Sequence, residues 1–341
     1  MKILIAGLGS IGRRHLRNLL AAGEDDIVLY RTHRGSLADE DLMEGRSLSS
    51  FPVEVDLQKA LERKIEAVIV SNPTALHLDV AIPAVEAGCH VLLEKPVSHS
   101  LARLDELAVA LIHHSVHLLV GYQFRFHPGL QRIKELLDQR VIGQLLSVHA
   151  HWGEYLPGWH PWEDYRHSYS AREDLGGGVI LTLSHPLDYL RWLISEVDEV
   201  WAFTGQAGSL DLQSVEAMAE IGLHFKNGVL GHVHLDYVQQ PPSHHLEIIG
   251  ASGSIRWSSS DGIAQVYQVE EPGMNKTGKW VTYTPPPKYE RNAMFLAEMR
   301  HFLAVTRRQA EPLCSLQDGR RALELSLAAL HSAKSGSKVH V

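Results

Sequence analysis

Residues 3–16 read ILIAGLGSIGRRHL, a short apolar run that stops at three glycines and resumes as a basic, amphipathic stretch. Gly7, Gly9 and Gly12 form G-x-G-x-x-G directly after the first strand pattern and at the start of the first helix pattern. In that setting each glycine has a task. Gly7 permits a tight turn, Gly9 lets the backbone approach a pyrophosphate, and Gly12 lets helix and strand pack closely. Ser10 and Ile11 then open the helix whose N-H groups face the phosphates. A glycine turn that only packs is the competing reading, and the segments that follow argue against it.

Up to about Gln123 the chain alternates short β-branched runs (KILIAG, DIVLYR, EAVIVS, HVLLEK, HLLVGY) with helical patterns over 13–22, 57–63, 77–87 and 101–113. Strands separated by such segments imply βαβ units and a parallel, doubly wound α/β sheet. At 341 residues the chain exceeds the ~250–300 at which single cores stop growing. Two domains are expected, a Rossmann domain over 1–122 and a second over 123–341.

The pattern changes after a helical stretch over 129–139. Val215, Ala217, Ala219, Ile221, Leu223 and Phe225 alternate with more polar neighbours, as do Val229, Val233, Leu235 and Tyr237. Period-two alternation means a sheet with one buried face, usually antiparallel. Residues 226–228 (KNG) and 250–254 (GASGS) read as hairpin turns. The second domain is therefore expected to be α+β, closed by helices over 291–307 and 315–332.

A net charge of -8 gives no electrostatic reason to seek nucleic acid or an anionic membrane. With neither a signal-peptide pattern nor ~20 consecutive apolar residues, the cytoplasm is the expected compartment. Cys89 and Cys314 form no CxxC pair and are expected in the core. The 22 histidines include no HExxH spacing, and His113, His114, His117, His232 and His234 are read as solvated or satisfied. No metal site is expected.

The end of the second strand bears on the choice of dinucleotide. An NAD site offers a carboxylate there for the ribose hydroxyls, but this chain reads Arg31, Thr32, His33, Arg34, with no acid before Asp39. Guanidiniums at Arg31 and Arg34 with the Thr32 hydroxyl suit a 2'-phosphate and hence NADP, with NAD as the other candidate. A solvated basic loop is the alternative.

GLGSIGRRH, SNPTALH, EKPVS, GYQFRFHP and GGGVILTLSHPLDYLRWL, in this order, resemble the Gfo/Idh/MocA oxidoreductases, the group of glucose-fructose oxidoreductase and inositol dehydrogenase. The resemblance covers essentially the whole chain. It implies an NAD(P)-dependent enzyme acting on a sugar, polyol or related hydroxy compound. It also implies an open, mainly antiparallel second sheet, often used for homodimer or homotetramer contacts.

Glu94 and Lys95 come at the carboxyl end of HVLLEK, where ligands bind in open α/β sheets. A lysine partly desolvated beside a cofactor exchanges a proton near neutral pH. By resemblance Lys95 is the acid/base or the donor that orients the substrate hydroxyl, and Glu94 positions it or contacts the nicotinamide ribose. Asn72, Pro73 and His77 are implied to line the cofactor site, with His77 equally suited to packing its own helix. Tyr122, Gln123 and Arg125, leaving the last Rossmann strand, are expected to meet cofactor or substrate.

On a continuous helix over 180–194, Ile180, Leu183, Leu187, Leu190 and Ile194 make one apolar stripe. Thr182, His185 and Tyr189 fall opposite it, toward water or substrate. The resemblance implies an Asp and a His here; His185 matches the histidine, while Thr182 stands where the carboxylate is expected. Threonine cannot take up a proton as a base, so proton transfer would rest on Lys95 and His185. Asp188 is a weaker candidate for orienting His185, and Pro186 either starts the regular helix or kinks it.

Residues 151–178 carry Trp152, Tyr155, Trp159, Trp162, Tyr165 and Tyr169 among Glu154, Arg166 and Arg172. Flat apolar faces such as Trp159 and Trp162 suit a sugar ring, and Arg166 or Arg172 suits a carboxylate or nucleotide phosphate. A lid or subunit contact anchored by tryptophans is the other reading.

The expectation is an NADP-dependent dehydrogenase or reductase of a sugar, polyol or sugar derivative. Two other classes stand beside it: a redox-neutral NAD(P)-using glycosidase-type enzyme, and a catalytically silent NADP-binding sensor, for which the missing carboxylate at Thr182 leaves room.

Overall fold

The apolar run before the glycines becomes β1 (Ile3–Ala6), with every residue buried. The computed structural model describes residues 1–32, 41–43, 46–208, 210–212, 214–269 and 278–341. β1 pairs in parallel with β2 (Ile27–Tyr30) on one side, and β2 pairs with β3 (Val53–Glu54). On its other side follow β4 (Ala67–Val70), β5 (His90–Glu94) and β6 (Leu118–Gly121), again all parallel. The order β3-β2-β1-β4-β5-β6 reverses direction beside β1, the switch point where such sheets bind ligands. Parallel strands covered on both faces read as unbroken apolar runs, which is why AVIV and VLL show no alternation.

The connections are α1 (Ser10–Ala21), α2 (Leu57–Leu61), α3 (His77–Glu86) and α4 (Leu104–His114). This unit comprises Met1–Gln123 together with Arg291–Arg320. The first segment ends one residue beyond the expected division. The return of 291–320 is a feature that hydrophobic periodicity cannot reveal.

The second unit, Phe124–Glu290 with Arg321–Val341, is built on nine strands. In chain order these are β7 (Leu145–Gly153), β8 (Val197–Gly205), β9 (Met218–Phe225), β10 (Leu230–Asp236), β11 (Ser243–Gly250), β12 (Gly253–Ser258), β13 (Ala264–Val269), β14 (Gly278–Tyr283) and β15 (Val339–His340). Their spatial order is β14-β13-β12-β11-β7-β10-β9-β8-β15. Only the β7–β10 pair is parallel; the rest are antiparallel. The alternating residues from Val215 to Phe225 and Val229 to Tyr237 all point to the buried face. Lys226–Gly228 turns β9 into β10, and residues 250–254 turn β11 into β12.

One face of this sheet is covered by α5 (Pro128–Asp138), α6 (Val179–Thr182) and α7 (His185–Leu193). The single helix expected over 180–194 is therefore two, separated at Leu183 and Ser184. Pro186 sits in the first turn of α7, where its missing N-H costs no helical bond, so it starts the helix instead of kinking it. α8 (Asn292–Thr306) packs on α1 within the first unit: the Arg14 guanidinium lies 4.4 Å from the Phe295 ring centroid, and Asn292 Nδ2 donates to Asn18 Oδ1 at 2.9 Å. α9 (Leu316–Ser335) follows. Cys89 and Cys314 are buried free thiols. Among the described residues no helix is long and apolar enough to cross a membrane.

Candidate active site

The glycine loop separates into two kinds of position. Gly7 has φ +98°, and a Cβ there would stand 2.6 Å from the Asn72 backbone nitrogen. At Gly12 a Cβ would stand 2.0 Å from the Gly7 carbonyl oxygen. Both are glycines because protein backbone fills the space. At Gly9, by contrast, a Cβ would meet nothing within 4 Å. That backbone is bare toward open space at the start of α1, whose first turn carries no acidic residue and no side-chain cap. Ser10 and Ile11 are the first two residues of that turn. A pyrophosphate fits this arrangement of N-H groups and helix dipole.

Ser71, which the sequence reading passed over, buckles the loop from below. Its hydroxyl lies 3.1 Å from Ala6 O and 2.9 Å from Gly7 O. Beside it, Asn72 donates Nδ2-H to Leu76 O at 2.9 Å, while its Oδ1 is buried with no hydrogen-bond partner among the described residues. An orphaned acceptor at the carboxyl end of β4 fits an amide or hydroxyl donor on a ligand. Pro73 caps the turn that leads into α3. His77 is buried, with Nδ1 2.9 Å from Pro96 O and Nε2 3.0 Å from Asn72 O. Burial pushes its pKa down to about 4 against the pull of the two carbonyls, so the ring is neutral and its single N-H donates to one of them.

Glu94 ends β5 facing inward. Its Oε1 lies 2.7 Å from His15 Nε2 of α1, and its Oε2 accepts the Lys95 backbone N-H at 3.2 Å. Burial opposes its charge, but the His15 hydrogen bond and the positive groups around it hold the carboxyl below its usual range. Lys95 follows, half-buried, at the same edge of the sheet as Gly9 and Asn72. His15 carries no motif; its only sequence signal is its place one helical turn beyond Gly12. Behind Glu94 lies Glu298 of α8, fully buried, with neither oxygen partnered among the described residues. Burial and then the Glu94 charge raise its pKa well above the ordinary value. Arg31, half-buried, and Thr32, exposed, follow β2; His33 and Arg34 lie outside the described residues. Tyr122 and Gln123, beyond β6, are buried.

In the second unit the polar side of 180–194, expected toward water or substrate, does not face water. Thr182, His185 and Tyr189 are 2%, 1% and 0% exposed. The break before α7 and the covering strands bury the short segments on all sides, so the wheel's polar face is packed. The His185 ring lies 4.9 Å from Phe124 and 5.3 Å from Trp152. Tyr189 Oη lies 3.2 Å from His244 Nε2. The Thr182 hydroxyl meets the Tyr237 phenol, whose pKa burial raises far above its usual value. Glu216, unnoticed in the sequence, accepts the Ile180 N-H at 3.0 Å, and burial raises its pKa too.

Arg125, expected to meet a ligand, is buried and forms a two-pronged ion pair with Asp188: Nε to Oδ2 at 3.0 Å and Nη2 to Oδ1 at 2.7 Å. Asp188, the weaker candidate for orienting His185, thus also holds this guanidinium. In the aromatic loop, Trp162 is 76% exposed and Trp159 stands edge-on to Tyr237 at 5.7 Å. Arg166 is paired with Asp164, with Nε 2.9 Å from Oδ1, and Arg172 with Asp174, both locally and on the surface. Each guanidinium would have to leave a neighbouring carboxylate to hold an anionic ligand.

Residues 1–122 match the oxidoreductase family with an NAD-binding Rossmann fold, and residues 134–341 match that family's C-terminal alpha/beta domain. The chain belongs to the Gfo/Idh/MocA oxidoreductases. It is a dehydrogenase-type enzyme of the nicotinamide-using class. It is 27% identical to myo-inositol 2-dehydrogenase of Thermotoga maritima, across 97% of this chain and 96% of that one. Its fold is similar to levoglucosan dehydrogenase in complex with NADH (TM-score 0.86, 19% identity, 100% and 99% of the two chains). It is also similar to the WlbA dehydrogenase of Bordetella pertussis in complex with NADH and UDP-GlcNAcA (TM-score 0.79, 20% identity, 100% and 97%).

Proposed function

We propose that this oxidoreductase transfers hydride between NADP and a hydroxyl or keto carbon of a sugar, polyol or sugar derivative, nucleotide sugars included. The observation that carries the reading is the carboxyl edge of the first sheet. There the bare Gly9 backbone, the Asn72 Oδ1 with no partner among the described residues, and Lys95 stand beyond three adjacent strands. The substrate class is supported by the names of similar proteins, which act on an inositol or were solved with sugars.

A bound nicotinamide supplies the hydride exchange itself. The chain's part is orientation and proton management. Lys95 Nζ gives or takes the proton of the reacting hydroxyl. Glu94, held by His15, fixes the backbone from which Lys95 departs. In the second unit His185 is the further proton-handling group of this reading, and Thr182 contributes a hydroxyl that hydrogen-bonds without ionising. Arg31 and Thr32, in a stretch that offers no acid after β2, favour the 2'-phosphate of NADP. A cytoplasmic location and homo-oligomers built on the second sheet belong to the same proposal, with sedimentation of the purified protein testing the latter.

The test is nicotinamide absorbance with NADP(H) and NAD(H) across polyols, aldoses, keto-sugars, sugar acids and nucleotide sugars. Net turnover on one class supports the reading. Cofactor binding without net absorbance change points instead to the redox-neutral enzyme if glycosidic product is released, and to the sensor if none is.

A further inference from the structure

On the outward face of the nine-stranded sheet, histidines distant in sequence stand in register. His151 of β7 pairs with His234 of β10 on one side and His245 of β11 on the other. The rings stack at 4.5 and 4.8 Å, each pair 13° from parallel. Sequence spacing argues against a metal here because it shows only His232-x-His234; strand pairing supplies the partner that spacing cannot.

One donor atom from each of His151, His234 and Asp236 falls within 4.8 Å of the others. His234 Nε2 lies 2.9 Å from Asp236 Oδ2, and His151 Nε2 lies 2.6 Å from Gln239 Oε1. Asp236 Oδ2 and Gln239 Oε1 both lean over Gly153, each 2.2 Å from where a Cβ would stand, so only glycine leaves this cradle open.

The groups behind these donors aim them. Asp236 Oδ1 accepts the backbone N-H groups of Val238 and Gln239 at 2.8 and 2.7 Å, which turns Oδ2 toward His234. Glu220 Oε1 lies 2.7 Å from His234 Nδ1, which directs the opposite nitrogen into the cradle. A carboxylate behind an imidazole is the arrangement that orients zinc-bound histidines and raises their basicity.

We propose that His151, His234, Asp236 and Gln239 form a zinc site on this face, separate from the reaction. Two imidazoles, a carboxylate and an amide oxygen are a donor set of the borderline softness zinc takes. Bonds of ~2.0–2.2 Å in a tetrahedron put neighbouring donors ~3.3–3.6 Å apart. The two hydrogen-bonded pairs, His234–Asp236 and His151–Gln239, need to open by about 1 Å or less to reach that spacing, while the donors of His151, His234 and Asp236, within 4.8 Å of one another, draw together. The lone pairs of stacked rings do not converge, so binding tilts the half-buried His151 out of its stack. The protons now shared at the two ring nitrogens leave to solvent as the metal takes their place.

The experiment titrates metal-stripped full-length protein with zinc against a chromophoric chelator, and with cobalt(II) to read coordination from its visible spectrum. The expected result is one zinc per chain and the intense visible bands of four-coordinate cobalt. Both should be lost in His234→Ala and in Asp236→Asn, the latter nearly isosteric and expected to fold. Glu220→Gln should weaken zinc ~10–100-fold, the usual cost of losing an outer partner. His224→Ala, exposed on the same face, should leave affinity unchanged. No zinc uptake, or uptake that persists in both His234→Ala and Asp236→Asn, would overturn the site.

Discussion

Glu298 should make the first unit less stable as pH rises, and Glu298→Gln should remove that dependence. The carboxyl is fully buried in α8, neither oxygen has a partner among the described residues, and the negative Glu94 lies close enough to raise its pKa further. Below the unfolded carboxyl's pKa of about 4.3 both states carry the proton, and Glu298 contributes no slope. Above it the unfolded chain ionises while the folded one keeps its proton. Stability then falls by about 1.4 kcal/mol per pH unit until the folded pKa is passed. At about 2–4 °C per kcal/mol for a domain of this size, that is about 3–6 °C per unit. Glutamine has the shape of the protonated acid and does not titrate. Thermal unfolding of both proteins from pH 5 to 8 should show similar midpoints at the acid end and a gap in favour of Glu298→Gln that widens with pH. A gap that stays constant, or narrows as pH rises, would refute the assignment of a buried, protonated carboxyl.

The glycine loop predicts opposite behaviour at two positions. Gly9→Ala has an extended backbone and open space, so it should keep stability and lose dinucleotide affinity; Gly12→Ala meets the Gly7 carbonyl and should cost about 1–3 kcal/mol or more in unfolding experiments. Equal effects on stability would contradict the division. Arg125→Met should destabilise the second unit by about 3–5 kcal/mol by stranding Asp188 in the interior, and adding Asp188→Leu should recover most of it in a double-mutant cycle. Arg31→Ala and Arg34→Ala together should raise the NADP dissociation constant far more than that of NAD in fluorescence titrations; equal changes would remove the arginines from the 2'-phosphate.

The glycine loop and the strand runs from Ile3 to Gly121 are legible because both follow local rules: a turn that needs bare backbone, and strands apolar on both faces. The alternation from Val215 to Tyr237 is legible for the same reason, since period two is a property of one strand. What escaped reading depends on partners distant in the chain. His15 and Glu298 show their meaning only when α1 and α8 pack near Glu94. On the wheel over 180–194 the polar side faces water or a ligand, and the break at Leu183 with the neighbouring strands removes the water half of that choice, because burial depends on elements a wheel does not contain. The pairing of Arg125 with Asp188, 63 residues further along the chain, is likewise invisible in sequence, because position at the end of a strand says nothing about a partner on another element.

If Lys95 handles the proton while the glycine loop holds the cofactor, turnover and cofactor binding separate when the lysine is removed. With the substrate class found by the absorbance screen, Lys95→Ala should be assayed for turnover and, separately, for NADPH binding by fluorescence. Turnover should fall by at least the ~10²–10⁴-fold contribution of a general acid/base, with cofactor affinity nearly intact. Undiminished turnover in Lys95→Ala would contradict this role of Lys95.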